Sequence, residues 1–314
     1  MRTSLAPPWG LILACGDGTR LRSLTMQVTG DQRPKQFCPL LEGETLLDRT
    51  RRRVDLVARL DQQAVVVTRA HEPHYRYLER ELAPDRLVVQ PANRGTAAGI
   101  LYPLLRIRHL TGNVPVAVFP ADHYVSDDLA FAGYVWSAVG TVRVRPDLVV
   151  LLGVEASAPE TEYGWIEPEA VPLPVDGAAA FPIRRFWEKP GLAMAERLLQ
   201  RGALWNSFVM VGYVDAFLRL VWEAAAELVI ALDPLRRALG TEDEAAAAEA
   251  VYATLPPSSF SERILAPASN RLVTVPVKGV EWSDWGSAQR VLATMTRTGW
   301  RPRWLDQVRL AHAG

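Results

Sequence analysis

Short apolar runs recur along the first half of the chain, at 10–14, 64–68, 86–90, 114–119 and 147–153. Runs this brief, bounded by Gly, Pro, Asn and Asp, read as buried strands. Between them the pattern lengthens to a helical period. Leu46, Leu47, Val54 and Val57 line one face of a helix at 44–60. A second helix opens at His71-Glu72-Pro73-His74, where proline suits the first turn. Thr96 is placed as the N-cap of a helix at 96–109. Further helices are expected at 214–239, at 241–255 behind the capping box Thr241-Glu242-Asp243-Glu244, and after Ser287. Strands alternating with helices predict an α/β fold, a Rossmann-like, mostly parallel sheet flanked by helices. No internal repeat or low-complexity linker divides it, and the Pro-rich stretches at 168–174 and 256–257 are loops within it.

The first strand runs into Cys15-Gly16-Asp17-Gly18-Thr19-Arg20. Two glycines this close let the backbone take φ > 0 and approach a ligand. Successive N–H groups in such a turn form an anion-binding concavity, and the Arg20 fork suits phosphate oxygens. Pro34-Lys35 adds a second cation on a stiff segment. Together they point to a nucleotide-phosphate site, although the glycine turn alone leaves a plain strand-to-helix connection open. A dinucleotide fingerprint fails because Leu21 stands where the third glycine belongs, and Arg69, not an acid, ends the next strand. The P-loop string G-x-x-x-x-G-K-[ST] is absent. Asp122 lies just past the carboxyl end of the 114–119 strand, where α/β sheets bind ligands, or it caps the following helix. His71 and His74 lack the spacing of a metal motif, and Arg49 with Arg51 to Arg53 reads as a solvated helix face.

At 314 residues and 49% hydrophobic, the chain can bury the core of one large domain, or of one domain plus an appendage. Its formal net charge of zero leaves no footprint for nucleic acid or an anionic membrane, so any phosphate must be caught by local cations. Two cysteines, Cys15 and Cys38, make no disulfide framework, and a cytoplasmic location is expected. Ile12-Leu13-Ala14-Cys15 has the look of a lipoprotein cleavage site, but one arginine and Pro7-Pro8 make a poor signal peptide, and the strand reading is preferred. No run approaches the ~20 apolar residues that span a bilayer.

Gly16-Asp17-Gly18-Thr19-Arg20-Leu21 followed by Pro34-Lys35-Gln36-Phe37 resembles the sugar-1-phosphate nucleotidyltransferases, and most of all their mannose-1-phosphate guanylyltransferase branch. The likeness continues in order through the chain. It implies that Gly16, Asp17, Gly18, Thr19, Arg20 and Lys35 hold a nucleoside triphosphate, with Gln90, Asn93, Gly95 and Thr96 around the base. Tyr163-Gly164-Trp165-Ile166, Phe186-Trp187-Glu188-Lys189-Pro190 and Trp205-Asn206-Ser207 are similar to the family's sugar-reading motifs. They imply a sugar-phosphate site of Tyr163, Gly164, Glu188, Lys189 and Asn206. Asp122 and Asp284, the latter within Trp282-Ser283-Asp284-Trp285-Gly286-Ser287, match the family's magnesium-binding aspartates. His123 is read as a packing or supporting residue.

The resemblance implies attack of a sugar 1-phosphate, mannose 1-phosphate, on the α-phosphorus of GTP, with pyrophosphate leaving. Arg20, Lys35 and Lys189 would be the catalytic cations, Mg²⁺ the cofactor, and a homodimer a possible assembly. The expected layout is a catalytic domain at 1–290, with a nucleotide half at about 10–155 and a sugar half at about 156–290, then a helix and tail at 291–314 without a β-helix appendage. Four positions depart from the pattern. Cys15 and Phe208 replace glycines, and Asp17 puts a negative charge in the phosphate turn, unfavourable unless it turns away or meets the metal. Ser261 stands where the family has an acid, so no role is carried onto it. The same chemistry with another sugar phosphate or nucleotide is a close rival, and the departures at Asp17 and Phe208 leave a weakly active nucleotide-sugar-binding regulatory protein as a rival of a different class.

Overall fold

Leu11 and Ile12 are neighbours on the first strand, yet they enter different apolar clusters. Side chains alternate across a strand, so a run apolar at every position must be covered on both faces. In the computed structural model, which describes residues 6–41, 43–174 and 179–305, helices supply that cover. Gly95–Thr111 and Val214–Ala231 pack on one face, and Leu46–Asp55 and Asp128–Val144 on the other.

The strands are β1 (Trp9–Leu13), β2 (Gln63–Thr68), β3 (Leu87–Gln90), β4 (Pro115–Pro120), β5 (Tyr124–Val125), β6 (Val149–Glu155), β7 (Gly164–Pro168), β8 (Phe181–Glu188), β9 (Leu204–Tyr213), β10 (Leu272–Val277) and β11 (Trp282–Ser283). Nine form one sheet in the order β3-β2-β1-β4-β9-β6-β10-β8-β7. Pairing is parallel across β3-β2-β1-β4, as the alternating pattern predicts, and also between β6 and β10, a strand that the pattern did not mark. After residue 156 the chain doubles back, and β9 enters antiparallel between β4 and β6, making the sheet mixed.

Two features of this topology place the site. The connections from β1 run to β2 on one side and the sheet continues to β4 on the other, which opens a crevice beyond the carboxyl ends of β1 and β4. β9 runs the other way, with Met210 opposite Val118, so its early residues reach that same crevice. A separate two-stranded pairing of β5 with β11, Ser283 opposite Tyr124, carries Asp284 to the neighbourhood of His123 and Asp122.

Several helix boundaries differ from expectation. Thr45 caps Leu46–Asp55 by accepting from the Asp48 N–H at 3.1 Å, shortening the expected 44–60 helix. The expected 214–239 helix is broken: Ala225 leaves helical geometry, and a new helix, Asp233–Ala238, starts with Pro234 in its first turn. The Thr241 capping box does not form; Glu244 accepts from the Gly240 N–H at 3.0 Å, and its other oxygen takes Tyr102 and Arg106. The last helix, Ala288–Thr298, packs through Val291 and Met295 against Leu21 and Leu24 next to the glycine turn. Residues 306–314 of the expected tail lie outside the described residues.

Candidate active site

The glycine turn after β1 is clamped before any ligand arrives. The Gln36 amide donates to Ala14 O at 3.0 Å and to Gly16 O at 2.7 Å, and the Thr68 hydroxyl donates to Cys15 O at 3.0 Å. Gly18 has φ 58°, and a Cβ there would meet Lys35 N at 3.0 Å, so only glycine lets the second motif pack on the first. At Gly16 a Cβ would meet nothing within 4 Å, and its backbone faces the cavity. Gln36 received no role from the sequence; its place inside Pro34-Lys35-Gln36-Phe37 was the available signal.

Lys35 is buried, and its ammonium finds an acceptor for each of its protons. It pairs with Asp122 Oδ2 at 3.1 Å, donates to Asp284 O, and approaches Trp285 O at 3.4 Å. The residue expected to grip a triphosphate is thus also a brace between the two candidate metal aspartates, which stand far apart in sequence. Burial by itself would raise the Asp122 carboxyl, but the charges of Lys35 and then His123 outweigh it, and the group sits below its ordinary pKa. Burial lowers His123 despite Asp122 beside it; its Nδ1 meets Ser207 O at 3.2 Å and its ring stands edge-on to Trp282.

Asp284 Oδ1 accepts from the Gly286 N–H at 2.8 Å and from Arg290 at 3.2 Å, while Arg290 also pairs with Glu160 and lies over the Tyr163 ring. Asp122 and Asp284 face one cavity of about 360 Å³. Among the described residues, no group of three or more His, Cys, Asp or Glu side chains is gathered to hold a metal. Two carboxylates on one cavity nevertheless fit a hard cation that takes its remaining ligands from water and phosphate.

A second cavity of about 330 Å³ adjoins the first through Asn93 and Asp122, and it is lined by the turn Asp17–Leu21 with Lys35. Asp17 turns toward the neighbouring loops: one carboxylate oxygen meets His71 Nε2 at 3.2 Å and the other accepts from Asn93 Nδ2 at 2.8 Å. The asparagine in turn accepts from the Gly95 N–H at 2.9 Å. The feared charge is therefore a tie between the phosphate turn and the loop after β3. Arg20 is exposed and pairs with Glu162 at the cavity rim.

On the nucleoside side the sequence reading needs two corrections. Thr96 is not the N-cap; the helix starts at Gly95, and the Thr96 hydroxyl accepts from the Phe260 N–H at 2.7 Å. The reason is the segment at 258–260, which docks on this helix start, with Ala97 N donating to Ser258 O at 3.0 Å. Gly95 has φ 79°, and a Cβ would lie 2.4 Å from Ser258 O. Gln90 is buried behind the wall instead of lining it, because the end of β3 points into the core, where Tyr252 donates to its Oε1 at 2.8 Å. Cys15 does line the cavity, its sulfur packed on Gly99. Both thiols are free, and burial pushes Cys15 up to about 11 and Cys38 to about 12.

The residues that the resemblance assigned to a sugar phosphate lie together on one cavity. A Cβ on Gly164 would meet Glu188 Oε2 at 3.1 Å and Asn206 Cβ at 3.4 Å, so these three adjoin. Tyr163 is buried among Trp205 and Trp282, its hydroxyl 3.4 Å from Ser283 Oγ. Lys189 is exposed at the cavity, 3.8 Å from Glu188, whose carboxyl burial pushes above its usual range. Ser261, given no role from sequence, lines the same cavity as Glu188.

The model of the family described as nucleotidyl transferase matches residues 9–298. The chain belongs to that family. Among relatives of this nucleotidyl transferase, the xanthan biosynthesis protein XanB of Xanthomonas campestris pv. campestris (strain B100) is 33% identical over 204 residues, 63% of this chain and 40% of XanB. The mannose-1-phosphate guanylyltransferase of Escherichia coli (strain K12) is 27% identical over 289 residues, 88% of this chain and 57% of the relative. The chain thus spans about half the length of the curated relatives it matches. A crystal structure described as mannose-1-phosphate geranyltransferase from Thermus thermophilus superposes with a TM-score of 0.77 at 29% identity, covering 91% of this chain and 79% of that one. A UDP-glucose pyrophosphorylase structure, at 15% identity and TM-score 0.53, shares the fold.

Proposed function

We propose that this protein transfers a nucleotidyl group from GTP to mannose 1-phosphate, releasing GDP-mannose and pyrophosphate. The observation that carries the transfer is the Lys35 brace: it joins Asp122 to the Asp284 backbone where a glycine-turn cavity meets a cavity walled by Glu188, Lys189 and Asn206. A donor nucleotide and a sugar phosphate have adjoining places there, and the junction carries the charges that a phosphorus centre needs. The choice of guanine and mannose rests on the names borne by relatives.

In the proposed reaction a phosphate oxygen of the sugar 1-phosphate forms a bond to the α-phosphorus, and the α–β bridging bond breaks in line. The bridging electrons leave with pyrophosphate, and no protein nucleophile is needed. Catalysis is then positioning plus charge neutralisation. The Gly16–Thr19 amides and Arg20 receive the β- and γ-phosphates, Arg20 exchanging its contact with Glu162. Lys189 receives the sugar phosphate, while Glu188 and Asn206 take sugar hydroxyls. Asp122 and Asp284 would hold a magnesium ion, which supplies positive charge beside the transferred phosphate. The regulatory-protein alternative loses its first motive, since Asp17 is turned onto His71 and Asn93.

The test is a screen of nucleoside triphosphates against sugar 1-phosphates, read as pyrophosphate release and confirmed by identifying the nucleotide sugar. GTP with mannose 1-phosphate should give the highest kcat/KM. A different preferred pair overturns the substrate assignment, and no turnover with any pair overturns the activity.

A further inference from the structure

Three non-glycine residues among those described adopt a left-handed backbone: Lys189 (φ 45°), Phe208 (φ 60°) and Trp285 (φ 43°). A residue with a Cβ is disfavoured there, and such strain persists only where the surroundings enforce it. All three lie on the cavities described above. Lys189 and Trp285 each follow a residue already placed in the site, Glu188 and Asp284. Phe208 has no such role, yet it presents a large side chain on the cavity wall from a backbone that glycine would occupy without strain.

Its position is defined by Asn206. The two residues line the same cavity, with Phe208 in the irregular stretch of β9 where the pairing with β6 shifts register. The Phe208 N–H donates to Asn206 Oδ1 at 3.1 Å, leaving the asparagine's NH₂ as its offering to a ligand. Asn206 adjoins Gly164 and Glu188. A sugar seated on this wall meets an acceptor at Glu188, a donor at Asn206, and beside them a ring that can be neither. A hydroxyl turned to that ring loses water and gains no partner, which is costly. A C–H face or a methyl group there exchanges water for apolar contact.

We propose that Phe208 sets the sugar specificity of this site, selecting hexose 1-phosphates that turn a C–H face or a deoxygenated carbon toward its ring and rejecting epimers that turn a hydroxyl there. The inference rests on the sugar 1-phosphate reading of the site and names the chemical class that site accepts.

The experiment measures kcat/KM at saturating nucleotide for mannose, glucose, galactose and 6-deoxyhexose 1-phosphates, using the full chain and its Phe208→Ala, Phe208→Gly, Phe208→Leu and Phe208→Tyr variants. Contact of a hydroxyl with an apolar wall supports a discrimination on the order of tenfold to a hundredfold. The Ala and Gly variants should lose most of that spread, chiefly by gaining activity on the disfavoured sugars, while Leu, still apolar, keeps it. The Gly variant should melt above the Ala variant, since both lack the ring and only alanine retains the strain. Should Ala and Gly fail to fold, Tyr carries the test, because its added hydroxyl should favour sugars that the native ring rejects. An unchanged ranking in the folded variants overturns the inference and leaves the transferase reading standing. Absence of turnover by the unmodified protein with every pair overturns both.

Discussion

Replacing Lys35 with methionine keeps most of the apolar stem and removes the charge that joins Asp122 to the Asp284 strand end. The Lys35 side chain is 9% exposed and that of Asp122 27%, so the pair is protected from solvent on one side and partly wetted on the other. Removing one partner of a fully buried pair costs about 3–5 kcal/mol, and the wetter carboxylate reduces this to about 1–3 kcal/mol of folding stability. Lys35 lines the glycine-turn cavity, so on binding its ammonium would exchange one of its protein acceptors for a phosphate oxygen; a charge-assisted bond of that kind is worth about 1.5–3 kcal/mol, and direct GTP binding should weaken roughly ten- to a hundredfold. Sugar-phosphate binding should change little, and kcat should fall with GTP affinity because the brace positions both aspartates. The stability loss has a pH signature. In the native protein the Asp122 carboxyl sits below its ordinary value, so its contribution is present above about pH 4, near the unfolded pKa, and is lost as pH falls through the lower folded value. Without Lys35, burial is opposed only by His123 and a backbone hydrogen bond, so the folded pKa should rise. The stability that the native carboxylate contributes at neutral pH then shrinks in the variant, and this difference fades as pH falls. Urea unfolding from about pH 8 to about pH 4 should therefore show the gap between the two proteins closing toward the acid end. A gap that stays constant across that range would refute the assignment of the stabilisation to this pair, and a loss of sugar-phosphate affinity with GTP spared would refute the division of the cavity.

Three further outcomes follow from the same geometry. Lys189→Ala should weaken mannose 1-phosphate binding roughly ten- to a hundredfold with little change in melting temperature, since its pair with Glu188 is long and exposed; a shifted GTP affinity by calorimetry would contradict its place. Asp122→Asn or Asp284→Asn should reduce turnover by about two orders of magnitude or more, and EDTA should do so reversibly on addition of Mg²⁺, whereas full activity in EDTA would remove the metal. Cys15, buried with its thiol pushed up to about 11, should alkylate slowly near neutral pH, faster as pH rises toward that value, and more slowly with saturating GTP; equal labelling rates with and without nucleotide, read by mass spectrometry, would separate it from the base side.

What the sequence determined by itself is the part written in local chemistry. Apolar runs fixed five of the parallel strands' places, because a strand covered on both faces must be apolar at successive positions. The glycine turn was legible for a related reason: Gly18 must be free of a Cβ for Pro34-Lys35 to pack on it, and such a requirement leaves an unambiguous residue type. Asp122 was legible as the residue following an apolar strand. The motif series, read against a family, grouped Gly164, Glu188 and Asn206, and the structure does bring these three together.

Tertiary structure decided everything that depends on which distant backbone lies alongside. The antiparallel entry of β9 between β4 and β6 leaves no mark on its own periodicity, yet it alone brings Asn206 and Phe208 to the crevice. The capping of Thr96 was misread because a hydroxyl near a helix start has a local use, and here a remote N–H, that of Phe260, claims it first. Asp17 looked like a departure until its partners, His71 and Asn93, were beside it. Lys35 is the clearest case. Its sequence neighbours assign it to a phosphate, but a buried ammonium must satisfy its protons with the acceptors that packing supplies, and the β5–β11 pairing supplies Asp122 and the Asp284 backbone from distant parts of the chain.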